Sequence, residues 1–173
     1  MTPARPAQAL RDRALPAGTL CFAVLVDLLP LPNPAPEALA PLASLATLLA
    51  WALLRPERVG PTLAFASGLG LDLGGGLPPG VTALPFLLAR QVATSARGTL
   101  ADLPPFAQWA VAVPLAAGSC LLRWLLISLS YGAALPPRPG LFEFALTVAL
   151  YPLVAALVAR TGRPRTLPHA PRR

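Results

Sequence analysis

This sequence of 173 residues contains no lysine, one histidine and one asparagine, and only 12% of its residues are charged. Soluble domains carry about 25% charged residues, so a chain with so few cannot cover a water-facing surface with charge. The shortage of charge is matched by 55% hydrophobic residues, which lie in long Ala/Leu/Val stretches. We therefore predict an integral inner-membrane protein that crosses the bilayer several times and has almost nothing left to form a soluble domain.

The scarcity of catalytic side chains excludes several enzyme classes. His169 lies in the Arg/Pro-rich tail, so the apolar segments lack the base that a Ser/His intramembrane hydrolase needs. An aspartyl membrane protease needs two carboxylates in one site, but Asp72 follows Gly-Leu-Gly-Leu rather than the Gly-x-Gly of presenilin-like enzymes. The glycine-rich stretches also lack the Lys-Ser/Thr of a phosphate loop. We expect a protein that is not an enzyme.

Cysteine and arginine usage limits the cofactors and partners. Cys21 and Cys120 lie far apart in apolar stretches without a second ligand type nearby, so neither a disulfide framework nor a metal site is indicated. All fourteen basic residues are arginines, and they lie at the ends of apolar segments rather than among aromatic residues. We expect no cofactor, no metal and no nucleic acid, but contact with membrane lipids.

Six apolar segments have about the length needed to cross a bilayer, which is roughly 20 residues. They cover residues 14–31, 38–54, 59–77, 80–95, 104 or 105 to 131, and 141–159. We predict an all-α fold of six transmembrane helices that form one domain, 14–159, between a cytoplasmic segment, 1–13, and a basic cytoplasmic tail, 160–173. Because the third and fourth segments are the weakest, four or five spans remain the alternative.

The distribution of arginine predicts the orientation, because short cytoplasmic loops hold the excess of positive charge. With the N-terminus inside, only Arg138 falls in an outer loop. The predicted cytoplasmic arginines are Arg5, Arg11, Arg13, Arg55, Arg58, Arg97, Arg160, Arg163, Arg165, Arg172 and Arg173. Both termini are therefore expected to be cytoplasmic.

Four of the charged residues within the predicted spans lie in the outer half of the membrane: Asp27, Asp72, Arg123 and Glu143. One interpretation is a polar patch that pairs internally or receives a polar group from a partner helix. The other is that Asp27 and Glu143 reach interfacial water while Arg123 snorkels outward. For Asp72 we favour a functional role, because a carboxyl group in hydrocarbon costs about 2.5 to 3.5 kcal/mol.

Arg90 and the glycines complete the set of candidate residues. Arg90 lies near mid-bilayer in the fourth span, where it is predicted to snorkel inward or to line a wet crevice. Small residues four apart in the third span favour close helix packing, and the glycines that follow favour a turn. The packing and turn glycines are Gly68, Gly70, Gly74, Gly75, Gly76 and Gly80.

The middle of the chain resembles the MreD family of bacterial rod shape-determining proteins. The similarity covers Arg55-Pro56-Glu57-Arg58-Val59, Phe65 to Gly68, Leu71 to Gly76 and Gly80-Val81. Leu29-Pro30-Leu31-Pro32 and Tyr151-Pro152 are similar to the family's Pro-containing first loop and its aromatic-Pro step. Asp72 and Gly80 occupy positions of the family's motif, whereas Arg90 has none.

This resemblance implies a non-enzymatic subunit of the elongasome, the complex that guides lateral peptidoglycan synthesis and maintains cell shape. The implied partner is MreC, and through it the actin-like MreB, the glycosyltransferase RodA and a class B penicillin-binding protein. The implied fold is similar to the six-helix substrate-binding component of vitamin (ECF-type) transporters. A small-molecule transporter component of that type is the alternative function.

The arginine asymmetry can be tested in the tail. Replacing Arg160, Arg163 and Arg165 with Gln removes positive charge beside the last predicted span, so we expect the C-terminus to lose its fixed cytoplasmic orientation. The measurement is the location of a topology reporter fused to the C-terminus. A reporter that stays fully cytoplasmic in the triple variant would show that the remaining arginines suffice.

Overall fold

The computed structural model describes residues 6–29, 42–96 and 105–161, and all regular elements in these ranges are helical. The order is α1 (Pro6–Asp27), α2 (Ala43–Leu54), a 3-10 turn (Pro56–Arg58), α3 (Pro61–Gly74), α4 (Ala83–Ser95), α5 (Pro105–Tyr131) and α6 (Arg138–Arg160). The prediction of an all-α fold is confirmed for this part of the chain.

Two helices are long and apolar enough to cross a membrane, over Gln108–Tyr131 in α5 and Arg138–Arg160 in α6. Only 22% of the apolar window of each helix is buried inside the protein, which leaves most of its apolar surface available to lipid. The helices α2, α3 and α4 have 12, 14 and 13 residues. At 1.5 Å per residue they extend about 18 to 21 Å, less than the roughly 30 Å of the hydrocarbon core.

Several helix ends differ from the predicted segment ends. The helix α1 begins at Pro6 and ends at Asp27, whereas the first apolar segment was expected to cover 14–31. Residues 6–13 are therefore helical, since proline suits the first turn of a helix and polar residues can extend one beyond the apolar stretch. The third and fourth helices are shorter than predicted at the connection between them, and α6 begins at Arg138 rather than Leu141. The predicted start of the second segment, at residue 38, lies outside the described residues.

The helix α2 forms the centre of the bundle. It packs against α1, α4, α5 and α6, and all its side chains from Ser44 to Ala52 are buried. A helix that is apolar on all sides is stable only when other helices surround it. The indole Nε1 of Trp51 donates a hydrogen bond to Thr19 Oγ1 at 3.0 Å, which gives the one polar group of that ring a partner on α1.

The helices α3 and α4 form a hairpin in which the backbones approach closely at Gly68. A Cβ atom at Gly68 would lie 2.5 Å from Ala83 Cα and 2.7 Å from Ala83 N. No real contact is so short, so only glycine fits here unless the helices separate. At Gly70, by contrast, a Cβ atom would lie 3.7 Å from a methyl group of Val24, an ordinary contact. The predicted packing role therefore has a precise steric basis at Gly68.

A pair of alanine substitutions tests this close approach. Gly68→Ala forces Ala83 to move, and we expect a loss of about 1 to 3 kcal/mol in unfolding free energy, as for other overpacked sites. Gly70→Ala is the matched control. It adds the same methyl group two residues further along α3, where the added atom makes only an ordinary contact. The measurement is thermal unfolding of the purified protein in detergent. Equal melting temperatures for the two variants would contradict the packing argument.

Candidate functional site

The last residue of α1, Asp27, caps the start of α2. Its Oδ1 accepts a hydrogen bond from the Ala43 backbone N–H at 2.8 Å. Its Oδ2 accepts one from the Ser44 N–H at 3.0 Å and one from the Ser44 hydroxyl at 2.5 Å. The first amides of a helix have no partner within the helix, and lipid offers none. Asp27 satisfies two of these amides and links the end of α1 to the start of α2.

Asp72 performs the same task for α4 from the last turns of α3, and its side chain is fully buried. Its Oδ1 accepts a hydrogen bond from the Thr82 N–H at 2.8 Å, and its Oδ2 accepts from Gly80 N–H at 2.9 Å and Ala83 N–H at 3.3 Å. Gly80 has a φ of +104°, a conformation that glycine adopts without strain. The turn therefore brings three amides to one carboxylate.

Arg123 on α5 joins this cap to α6. Its Nε donates a hydrogen bond to Thr82 Oγ1 at 3.0 Å, and its Nη1 donates to Glu143 Oε2 at 2.6 Å. Both charged side chains are buried, with 9% of Arg123 and 2% of Glu143 exposed. Pairing offsets part of the cost of holding either charge away from water. The bonds run without a break from Asp72 through Thr82 and Arg123 to Glu143, across four helices.

We call Asp27, Asp72, Thr82, Arg123 and Glu143 the polar cluster. A cavity of about 460 Å³ lies beside it, and Asp27, Arg123 and Glu143 form part of the cavity wall. The rest of the wall is mostly apolar. It comes from the residues just after α1 and just before α2, from α3 and α5 with the connections that follow them, and from α6. A cavity of this size, mainly apolar and with a few polar groups, has the form of a small-molecule site.

The four charged residues predicted in the outer half thus lie at one end of the bundle. Arg123 and Glu143 pair with each other, and neither is exposed as a snorkelling side chain would be. Asp72 faces the start of α4 and has no exposed surface. Asp27 is partly buried and lines the cavity.

The remaining candidate residues lie apart from the polar cluster or support its turns. Arg90 Nε donates a hydrogen bond to the Val59 carbonyl at 3.0 Å, so this side chain reaches the connection before α3, at the opposite end of the bundle. Gly76, like Gly80, has a positive φ, at +66°. Gly74 faces the side chain of Leu28, and Gly75 lies beside the Leu71 carbonyl at the end of α3.

Thr82 and Ser44 belong to the site but were missed in the sequence. Each has a hydroxyl group at or next to a helix start, where Ser and Thr are common. Neither hydroxyl bonds to its own helix: Ser44 donates to Asp27, and Thr82 accepts from Arg123. The preference of Ser and Thr for helix starts could have pointed to both residues. Their hydrogen-bond partners lie on other helices, and no local sequence pattern indicates those partners.

The polar cluster can recognise another molecule by charge and by hydrogen bonds. The cavity wall contributes two carboxylates and one guanidinium group, a formal charge of −1. Glu143 Oε1 is buried without a hydrogen-bond partner among the described residues. Within the same residues, no group of three or more His, Cys, Asp or Glu side chains is placed to hold a metal ion.

No protein-family model, no curated protein and no solved structure matches this chain. The polar cluster and the resemblance carried by residues 55–81 are therefore the features that bear on its function.

The buried ion pair can be tested by a double-mutant cycle. Arg123→Met leaves Glu143 as an unpaired buried charge, so we expect a loss of about 3 to 5 kcal/mol in unfolding free energy. The double variant Arg123→Met/Glu143→Leu removes both charges and should recover much of that loss. Unfolding is followed by tryptophan fluorescence in detergent.

Arg138→Met serves as the control, because Arg138 is exposed at the start of α6 and its loss should change little. If Arg123→Met and the double variant were equally destabilised, the two side chains would not be coupled.

Proposed function

We propose that this chain is a non-enzymatic membrane subunit of the complex that directs lateral cell-wall growth, and that it acts by binding MreC. The observation that carries the proposal is the structural role of the residues on which the resemblance depends. Gly68 allows the contact of α3 with α4, Asp72 caps α4, and Gly80 forms the turn between them. These positions tolerate few other residues in this fold, which supports a family motif rather than a chance match.

We also propose six spans with both termini in the cytoplasm. This orientation is supported by the arginines outside the spans, because it places eleven of them on the cytoplasmic side and one on the outer side. The polar cluster supports it as well, because it brings together the end of α1 and start of α2, the end of α3 and start of α4, and the facing parts of α5 and α6. Consecutive helices thus run in opposite directions. In this arrangement the polar cluster would lie in the outer half, and we propose a fold of the kind that the resemblance implies, that of the vitamin-transporter component.

Surfaces near the polar cluster can accept a partner's membrane helix. Large apolar side chains are exposed there on three helices and just after the end of α1, and the set comprises Leu29, Leu73, Leu129 and Leu141. A single-span partner such as MreC would pack its helix against one of these faces, since helix association in lipid depends on close van der Waals packing. MreB, RodA and a class B penicillin-binding protein would then associate through MreC.

The cavity favours a second candidate function, that of a small-molecule binding component of a vitamin-type transporter. Its volume of about 460 Å³ and its mainly apolar wall suit a small ligand. Trp124 lines the cavity, whereas Phe22 on α1 is exposed. An MreC-like reading frame beside the gene would favour the wall-growth subunit, and a transporter ATPase would favour uptake.

Depletion combined with crosslinking tests the first candidate. Cells depleted of the protein should lose rod shape and become round, as seen by microscopy, whereas loss of an uptake component should be corrected by nutrients in the medium. A photo-crosslinking residue placed at Leu29, Leu73, Leu129 or Leu141 in turn should capture MreC from at least one exposed face. Leu71 is the matched control, because it is buried two residues before Leu73 and should capture no partner.

Rods that persist after depletion, together with no MreC adduct at any of the four positions, would contradict the proposal. Asp72→Ala should weaken co-purification with MreC indirectly, because it removes the cap that holds α4.

A further inference from the structure

Glu143 has one carboxylate oxygen that the protein does not use. Its Oε2 accepts the hydrogen bond from Arg123 Nη1 at 2.6 Å. Its Oε1 is buried and has no partner among the described residues. The Cys120 thiol approaches this carboxyl group, but a thiol is a weak donor and does not satisfy the oxygen. A carboxylate oxygen without a full hydrogen-bond partner in a buried site is costly, so a donor placed beside it would lower the free energy.

The cavity beside Glu143 is the space from which such a donor can come. Its charged wall residues are Asp27, Arg123 and Glu143, which leave one negative charge unbalanced. The oxygens of Asp27 already accept three hydrogen bonds from the start of α2, so Glu143 Oε1 is the acceptor that is left. A hydroxyl donor would satisfy the hydrogen bond alone, whereas a cationic donor would also balance the charge.

The remaining wall favours an apolar body on the ligand. Leucine, isoleucine and proline side chains form most of it, together with Trp124, whose indole Nε1 is held by the Leu135 carbonyl at 3.3 Å. An aromatic ring attracts an ammonium group placed over its face. The wall therefore combines an acceptor for one cationic donor with an apolar space of limited volume.

We infer that this cavity binds a small, mostly apolar molecule through a protonated primary amine that donates a hydrogen bond to Glu143 Oε1. The ammonium group has two sources, a free amine or the headgroup of phosphatidylethanolamine, and both present the same chemistry to the carboxylate. The inference does not depend on the role in wall growth, and it concerns a site that the contact with MreC does not require.

Three probes that share one apolar body test the charge preference. Phenethylamine, 2-phenylethanol and phenylacetate carry an ammonium, a hydroxyl and a carboxylate group, respectively. With the full chain purified in a neutral detergent, binding is reported by the melting temperature and by the change in tryptophan fluorescence, to which Trp124 in the cavity wall contributes. The amine should bind about tenfold or more tightly than the alcohol, as expected for a charge-assisted hydrogen bond, and the acid should not bind.

Two kinds of variant separate the carboxylate from the cavity. Glu143→Gln keeps the shape but removes the charge, so it should abolish the preference for the amine over the alcohol. Because this change also affects the Arg123 pair, Ile127→Trp provides an independent test: it fills the cavity without touching a polar group and should prevent binding of all probes. Leu125→Trp is its control, since Leu125 lies on the exposed face of the same helix and its replacement should leave binding unchanged.

Reconstitution distinguishes the two sources of the amine. The protein is placed in vesicles of equal parts phosphatidylethanolamine and phosphatidylglycerol, and then extracted for native mass spectrometry. Retained phosphatidylethanolamine that phenethylamine displaces, and that Ile127→Trp does not retain, would identify the lipid headgroup; amine binding without retained lipid would identify a free amine. Equal binding of all three probes, unchanged amine binding in Ile127→Trp, or no binding of any probe would overturn the inference.

Discussion

The positions of Thr82, Arg123 and Glu143 depend on the hydrogen bonds between the Asp72 carboxylate and the start of α4. These bonds satisfy amides that would otherwise be buried without partners, and they fix where α4 begins. The position of Thr82 follows from that start, and Thr82 in turn receives the Nε of Arg123. Arg123 held in this way directs its Nη1 to Glu143 on α6. The cap between α3 and α4 thus sets the geometry of the ion pair between α5 and α6.

The same solution is used twice in the bundle. Asp27 at the end of α1 caps α2, as Asp72 near the end of α3 caps α4. In the proposed six-span arrangement, α2, α3 and α4 are shorter than the hydrocarbon core, so water at the membrane surface would not satisfy all of their ends. A carboxylate costs free energy in such surroundings, but one that accepts two or three amide hydrogen bonds replaces its hydration with fixed donors. The buried acids therefore supply hydrogen bonds that the ends of the short helices need.

Much of the fold could be predicted from apolar stretches, and little of the site from any local pattern. Segment length and composition predict the all-α fold, and the glycines after Leu73 predict the turn between α3 and α4. The ends of the helices were less predictable, because Asp27 acts on residues 43 and 44 and such a cap depends on tertiary structure. Depth along a helix can be estimated from the sequence, but its lateral neighbours cannot. For this reason the pairing of Arg123 with Glu143, and of Arg90 with the Val59 carbonyl, required the structure.

The polar cluster divides into a saturated half and an unsaturated half, and this division separates structural from binding roles. Asp72 accepts hydrogen bonds from three amides and has no exposed surface, so it cannot also receive a polar group from a partner. Its influence on any partner must pass through the position of α4. Glu143 uses one oxygen for Arg123 and leaves the other without a hydrogen bond beside a cavity. A ligand or partner that recognises this end of the bundle by charge must therefore approach Glu143 through the cavity, while recognition by shape is left to the exposed apolar faces around it.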